Sequence, residues 1–261
     1  MDFSQFIGYF LAVLVGISLG LIGSGGSILS VPILVYILKV EPVLATAYSL
    51  FIVGTTSAFG AFQNSRKNLV DFKNGFLFAV PSFIAVYLTR RYLVKLIPDV
   101  IIENPFVISK SAFLMVFFAI IMIFAAISML KKKKTENIES KESSITVLII
   151  QTFIIGIIIG LVGAGGGFLI IPSLVLFAKL PMKKAVGTSL FIIAMNSLIG
   201  FIGDVQNIAI DWIFLLTFTS ISIVGIFIGI YLNKYVNEVQ LKKGFAYFVL
   251  LMAVFILFKE F

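Results

Sequence analysis

Polar positions are sparse in this chain, and the apolar runs between them are long. Apolar blocks fall at about 5–38, 43–63, 74–94, 107–130, 145–178, 185–203, 212–233 and 243–258. A run of about 18 or more mostly apolar residues can cross the roughly 30 Å hydrocarbon core of a bilayer as helix. Eight such hydrophobic segments predict an all-α polytopic membrane protein. The first and fifth are overlong, because some 34 residues of unbroken helix would reach roughly 50 Å. Each contains a cluster of small residues: "GLIGSGGSILSVPIL" from Gly20 to Leu34 and "GLVGAGGGFLIIPSL" from Gly160 to Leu174. Glycine loses the most backbone freedom on entering a helix. The clusters therefore predict breaks, as a kink or as the turn of a helical hairpin.

The two clusters are mates in a repeat. An offset of 140 positions places Gly20, Gly23, Gly25, Gly26 and Pro32 on Gly160, Gly163, Gly165, Gly166 and Pro172. The same offset puts Lys39 on Lys179, "SLFI" (49–52) on "SLFI" (189–192), and Asp71 on Asp211. Chance apolar similarity exchanges leucine with isoleucine but does not align glycines, a lysine and an aspartate in one register. The expected organisation is a first membrane repeat over 1–130, a linker over 131–144 and a second repeat over 145–261. The linker "KKKKTENIESKESS" is charged and free of aromatic residues, which suits a solvated connection.

Charge distribution bears on topology. If each cluster is a hairpin turn, each half crosses five times and the halves form 5+5 inverted repeats. Arg66, Lys67, Lys73, Lys131 to Lys134, Lys141, Lys179, Lys183, Lys184, Lys234, Lys242 and Lys243 then share one side, a split of 14 to 6. Four crossings per half would give 9 to 11. The positive-inside rule favours the first arrangement and puts the central linker in the cytoplasm of a multi-pass inner (plasma) membrane protein.

Composition narrows the function. Apolar residues make up 60% of the chain and charged ones 12%, against about 25% charged in soluble domains. The net charge of +8 sits in short loops, so topology explains it and nucleic acid is not an expected partner. The absence of cysteine and histidine excludes disulfides, thiolate nucleophiles, Cys/His zinc sites and His-ligated haem. It also removes the commonest general base. No enzyme activity, cofactor or metal is expected. The glycine clusters lack the Gly-Lys-Ser/Thr ending of an ATP-binding loop. The start "MDFSQFIGYFLAVLVG" has no basic n-region and is expected to be the first membrane helix rather than a cleaved signal.

Backbone that leaves a helix at membrane depth must lie inside protein or beside a polar cavity. The helices after the breaks begin with unpaired N–H groups and a positive dipole end, which attract anions. Brought together near the midplane, the two breaks would make a small-anion site, a construction secondary transporters use. The candidate substrate-binding residues are Gly23, Ser24, Gly25, Gly26 and Ser27, with Gly163, Ala164, Gly165, Gly166 and Gly167. Close helix packing through small residues is the plainer alternative. A polar stripe joins them: Ser49, Thr56 and Gly60 share one helix face, with mates Ser189, Asn196 and Gly200. Tyr48 and Thr188 sit at the same turn. These groups could donate to an oxyanion or simply join neighbouring helices. Asp71 and Asp211 begin their helices, where capping is the first reading and proton coupling the second. Arg90 and Arg91 align with Ile230 and Tyr231 and are expected to snorkel to the interface, with anion attraction the alternative. No carboxylate falls mid-span, so no proton relay of buried acids is visible. Carbonyls freed at the same breaks could instead bind a cation, which keeps a cation carrier or channel open.

The paired clusters, with "AVGTSLFIIAMNSLIGF" (185–201) and "IDW" (210–212), resemble the sulfite exporter TauE/SafE family of membrane transporters. The resemblance covers nearly the whole chain. It implies a bacterial or archaeal inner-membrane transporter of sulfur-containing anions such as sulfite or organosulfonates, often directed outward. The first half departs from the second, with Ser24 and Ser27 against Ala164 and Gly167, so the two half-sites are chemically unequal. The expected partners are a small anionic solute and the lipid bilayer, with a second copy of the chain left open.

Overall fold

The computed structural model describes residues 3–23, 26–98, 100–102, 108–130, 145–163, 166–176, 178, 180–206, 208–235 and 238–260. The linker 131–144 lies outside them. The first half contributes α1 (Phe3–Ile22), α2 (Gly26–Ile37, closing on a π-helical turn), α3 (Pro42–Ser65), α4 (Phe72–Leu96) and α5 (Lys110–Leu130). The second half repeats them as α6 (Ile145–Val162), α7 (Gly167–Leu176), α8 (Met182–Val205), α9 (Trp212–Leu232) and α10 (Glu238–Glu260). A short antiparallel pair, β1 (Val100–Ile102) with β2 (Ile108–Ser109), precedes α5 and is the one departure from an all-helical chain among the described residues. Eight apolar blocks thus yield ten helices among the described residues, because both overlong blocks are broken.

The breaks are hairpin turns. Gly23 has φ +79°, Gly163 +71° and Gly166 +65°, a left-handed conformation that costs glycine nothing because it has no Cβ. The Gly23 N–H still donates to the Leu19 carbonyl at 2.8 Å, and the Gly163 N–H to Ile159 at 2.9 Å. The chain then reverses. Gly26 lies against Val15, Ser18 and Leu19, and Leu38 covers Gly8, so α2 runs back along α1. In the second half Gly166 lies against Ile159, the mate of Leu19. Residues 26–32 are all buried. Short helices with non-helical connections are therefore kept away from lipid, as backbone hydrogen bonding in a bilayer requires.

The halves are packed crosswise. Gly16 meets the α9 backbone at Ser222 and Gly225, and its mate Gly156 meets α4 at Ser82 and Ala85. Gly20 meets α9 at Ile226 and Ile230, and Gly160 meets Thr89 of α4. Each contact recurs at the repeat offset with the halves exchanged. The packing role of small residues therefore belongs to Gly16, Gly20, Gly225 and Gly229, and the breaks belong to Gly23, Gly163 and Gly166.

At the centre α3 and α8, mates of each other, run antiparallel: Leu50 meets Gly200, Gly54 meets Ser197 and Leu198, and Gly60 meets Leu190. Their spans are 67% and 72% buried, against 39% and 44% for α4 and α9. The first pair therefore forms the interior and the second turns a face outward. That face carries large apolar side chains such as Ile213, Leu216 and Val224, as expected of a lipid-facing surface. The start of α3 is fixed by Glu41, whose carboxylate accepts from the N–H groups of Val43 (3.1 Å) and Leu44 (2.9 Å), with Pro42 at the first helical position.

Candidate functional site

The first break borders a cavity of about 400 Å³. Gly20, one turn before the break, lines it, as does Val186, which touches Gly23 itself. Its mouth carries Lys67, Lys183 and Lys234, and its walls carry Asn64 and Asn233. The Asn64 amide donates to the Gly60 carbonyl at 2.9 Å, and the Asn233 amide donates to the Leu21 carbonyl beside the turn. No carboxylate lines this cavity, and none pairs with its three lysines among the described residues.

The second break is filled. Gly163 sits against Thr46 and a terminal nitrogen of Arg90. The Arg90 Nη1 donates to the Thr46 hydroxyl at 3.0 Å and lies 3.2 Å from the Asp204 carboxylate. Arg90 is 1% exposed, which corrects the expectation that it snorkels to the interface. Its guanidinium turns inward because a carboxylate and a hydroxyl wait there, so burial is compensated by pairing. Arg91 points its guanidinium to the Gln206 side-chain carbonyl instead.

The two breaks do not meet. Gly23 touches Val186 and Ser189 of α8, and Gly163 touches Thr46 of α3. Because Leu190 faces Gly60 across the antiparallel pair, these contacts lie about fifteen residues apart along α3, about 22 Å at 1.5 Å per residue. Convergence at the midplane is thus replaced by two half-sites near opposite ends of one helix pair. The reason is geometric: mates on antiparallel helices are carried to opposite ends.

Between the half-sites runs a buried polar row. Thr56, Ser57, Asn196 and Ser197 are each fully buried. The Thr56, Ser57 and Ser197 hydroxyls and the Asn196 Nδ2 have no hydrogen-bond partner among the described residues, while the Asn196 carbonyl accepts from Ser82 at 2.9 Å. Unsatisfied buried polar groups are uncommon and point to strain, water or ligand. They sit on the facing helices α3 and α8, in the stretch between the two ends.

Of the other expected site residues, Tyr48 and Thr188 hold the halves together. The Asp71 N–H donates to the Thr188 hydroxyl at 2.9 Å, and the Asp211 N–H donates to the Tyr48 hydroxyl at 2.7 Å. These two bonds are mates of each other, and each joins one half to the other. Ser49 shares a hydrogen bond with Ser30 of α2, and Ser189 donates to the Val186 carbonyl at 2.8 Å. Ser27 is buried in the first turn of α2, and Gly167 opens α7. Ser24, Gly25, Ala164 and Gly165 lie outside the described residues.

Asp71 and Asp211 cap α4 and α9, accepting from the N–H groups of Asn74 and Phe214 at 3.0 Å each. The Asn74 N–H holds the Asp71 carboxyl below its ordinary value, with help from the Asn74 amide and Lys184 and against the effect of burial. A depressed pKa stabilises the fold above the ordinary carboxylate range, and that contribution is lost as pH falls through the folded value. The D71A protein is expected to lose about 1 kcal/mol of stability. The loss should be equal between about pH 6 and pH 8 and should fade below about pH 4. Thermal unfolding in detergent across that range checks it. The D71N plus D211N protein is expected to keep the wild-type pH profile of flux, and a flattened profile would make these carboxylates proton carriers.

Asp204 escaped the sequence reading because it sits just past an apolar block. Its signal lay in the repeat: Thr46, Arg90 and Asp204 fall on Val186, Ile230 and Asn64. Three neutral mates opposite two charges and a hydroxyl mark one place where the halves diverge. Ser57 and Ser197 were visible only as an aligned pair.

The chain was then compared with known proteins. The model of the family described as sulfite exporter TauE/SafE matches residues 9–256. A probable membrane transporter protein of Methanocaldococcus jannaschii is 28% identical over 265 residues, covering 95% of this chain and 94% of the relative. A probable membrane transporter protein of Xylella fastidiosa is 24% identical over 95% of this chain and 92% of its own length. One of Bacillus subtilis is 25% identical, covering 79% and 80%. No solved structure matches the chain. The matches run through both hairpins, and the chain belongs to the sulfite exporter TauE/SafE family of membrane transporters.

Proposed function

We propose that this chain is a secondary transporter that exports a small sulfur-containing anion, sulfite or an organosulfonate, by alternating access between two inverted halves. The observation that carries this reading is the cavity at the first break, ringed by Lys67, Lys183 and Lys234 with asparagine amides behind them. Clustered positive charge in a low-dielectric cleft concentrates anions. The same ammonium groups repel cations, which weighs against a cation carrier or channel. The antiparallel course of α3 and α8 supports inversion, since mates related by an axis along the membrane normal would run parallel. The positive-inside rule assigns the lysine-bearing mouth and the central linker to the cytoplasm of the inner membrane. An anion leaving a cell that is negative inside gains about 2.3 kcal/mol per charge at 100 mV, so uniport suffices for export.

The test is flux from proteoliposomes loaded with labelled sulfite. Efflux is expected to exceed that of empty liposomes and to rise when a potassium diffusion potential makes the lumen negative. Absence of flux for sulfite and for short sulfonates would end the substrate assignment.

A further inference from the structure

The second half-site is closed in this structure, and what closes it has the chemistry of a ligand. The Arg90 Nη1 is engaged by Thr46 and Asp204, but its Nε and Nη2, one side-on edge of the guanidinium, have no hydrogen-bond partner among the described residues. The Asp204 Oδ2 makes the ionic contact without forming a hydrogen bond. Both residues are buried. A carboxylate that served Arg90 only as a structural partner would be expected to take that edge in a bidentate pair. Here the edge is left open, against the left-handed turn at Gly163.

Resting on the anion reading above, we propose that Arg90 is the charged ligand of a second oxyanion site at the Gly163 turn, and that Asp204 is the resident carboxylate an incoming anion displaces. A sulfur oxyanion offers several acceptor oxygens, enough to take Nε and Nη2 together. Displacement of Asp204 separates α8 from the end of α4 and opens this end to water. The distance from Asn64 at the cavity to Thr46 at the ion pair is eighteen residues of α3, about 27 Å, close to the thickness of the hydrocarbon core. The open cavity and the ion pair therefore stand at the two faces of the membrane. At the first half-site the mated positions hold Ile230 and Asn64, which have no charge to lock, and there the cavity is open.

The chain has no cysteine, so one introduced thiol reports accessibility. Val94, one turn after Arg90, is 5% exposed, and in a V94C protein it is expected to react slowly with a membrane-impermeant maleimide. Adding D204N should raise the labelling rate at least about tenfold with no anion present, because a guanidinium deprived of its carboxylate moves toward water. Saturating methanesulfonate, which unlike sulfite does not add to maleimides, should accelerate labelling of V94C itself. That response should be lost with R90K, which keeps the charge and the ion pair but lacks the planar fork. It should also be lost with R90I plus D204N, which strands no charge and copies residues the first half already accommodates. Labelling of the D204N protein at the V94C rate would overturn the closure. A methanesulfonate response surviving R90K and R90I plus D204N would overturn Arg90 as ligand, as would a V94C protein that ignores methanesulfonate while transporting it. A protein with neither response nor flux returns the failure to the anion reading itself.

Discussion

Replacing Gly163 by valine is expected to leave no folded, monodisperse protein in detergent extracts and no sulfite flux. At φ +71° a β-branched residue is strained by about 1–3 kcal/mol. A Cβ at this position would also fall 2.5 Å from the Thr46 Cβ, 2.7 Å from its carbonyl oxygen and 2.4 Å from an Arg90 nitrogen. Overpacking of that kind adds about 1–3 kcal/mol, and backbone cannot yield as a side-chain tip can. The sum is a large share of the roughly 5–15 kcal/mol by which domains are stable. The first break is more forgiving. A Cβ at Gly23 would meet the Val186 side chain at 2.7 Å, the Val186 carbonyl oxygen at 3.1 Å and the Ser189 hydroxyl at 3.2 Å, so the one contact under 3.0 Å is a side chain that can move. G23A should therefore retain more folded protein than G163A. G244A is the control, since nothing lies within 4 Å of that position. Size-exclusion profiles from membrane extracts rank the three, and equal behaviour of G163A and G244A would contradict the assignment of the turn.

Reversing the three cavity lysines, K67E plus K183E plus K234E, is expected to reduce sulfite flux at limiting concentration by at least about 100-fold. An ammonium about 8 Å from an anion contributes about 2 kcal/mol at an effective dielectric of 20. Screening at physiological salt halves this or more at such a mouth, leaving roughly 1 kcal/mol per residue for loss of the charge alone. The deficit should grow as ionic strength falls and the expressed amount should stay unchanged, because all three side chains are exposed and none holds an ion pair among the described residues. A triple variant that transports at the wild-type rate would move the entry route elsewhere.

Much of the architecture was written in patterns that physics makes hard to disguise. Block lengths near 20 residues and two overlong exceptions announced the helices and the breaks, because the bilayer fixes the length of a span. The repeat register carried over to the coordinates contact by contact, from Gly16 and Gly156 to Gly60 and Gly200. What did not show was the place where the breaks end up. Gly23 and Gly163 look equivalent in sequence, and equivalence suggested a shared site. On antiparallel α3 and α8 equivalence means opposite ends, and nothing local in "GSGGS" or "GAGGG" records that. Arg90 was misjudged for a related reason. An arginine near the end of an apolar run ordinarily reaches for water, and its burial depends on Asp204, more than a hundred positions away. Tyr48 and Thr188 were read either as lining or as joining neighbouring helices, and each receives a backbone N–H of the other half.

The crosswise packing sets the timetable on which the protein is made. Helix α1 leaves the ribosome first, yet its flat glycine face fits α9, which begins at Trp212. At about 5–20 residues per second, some ten to forty seconds of synthesis separate the two. Through that interval the nascent N-terminal helices must wait in lipid or in the care of the insertion machinery, with their partner surface uncovered. The seam between α4 and α6 can close once Val162 has been made, whereas the seam between α1 and α9 must wait for Leu232, so the halves are joined in two steps.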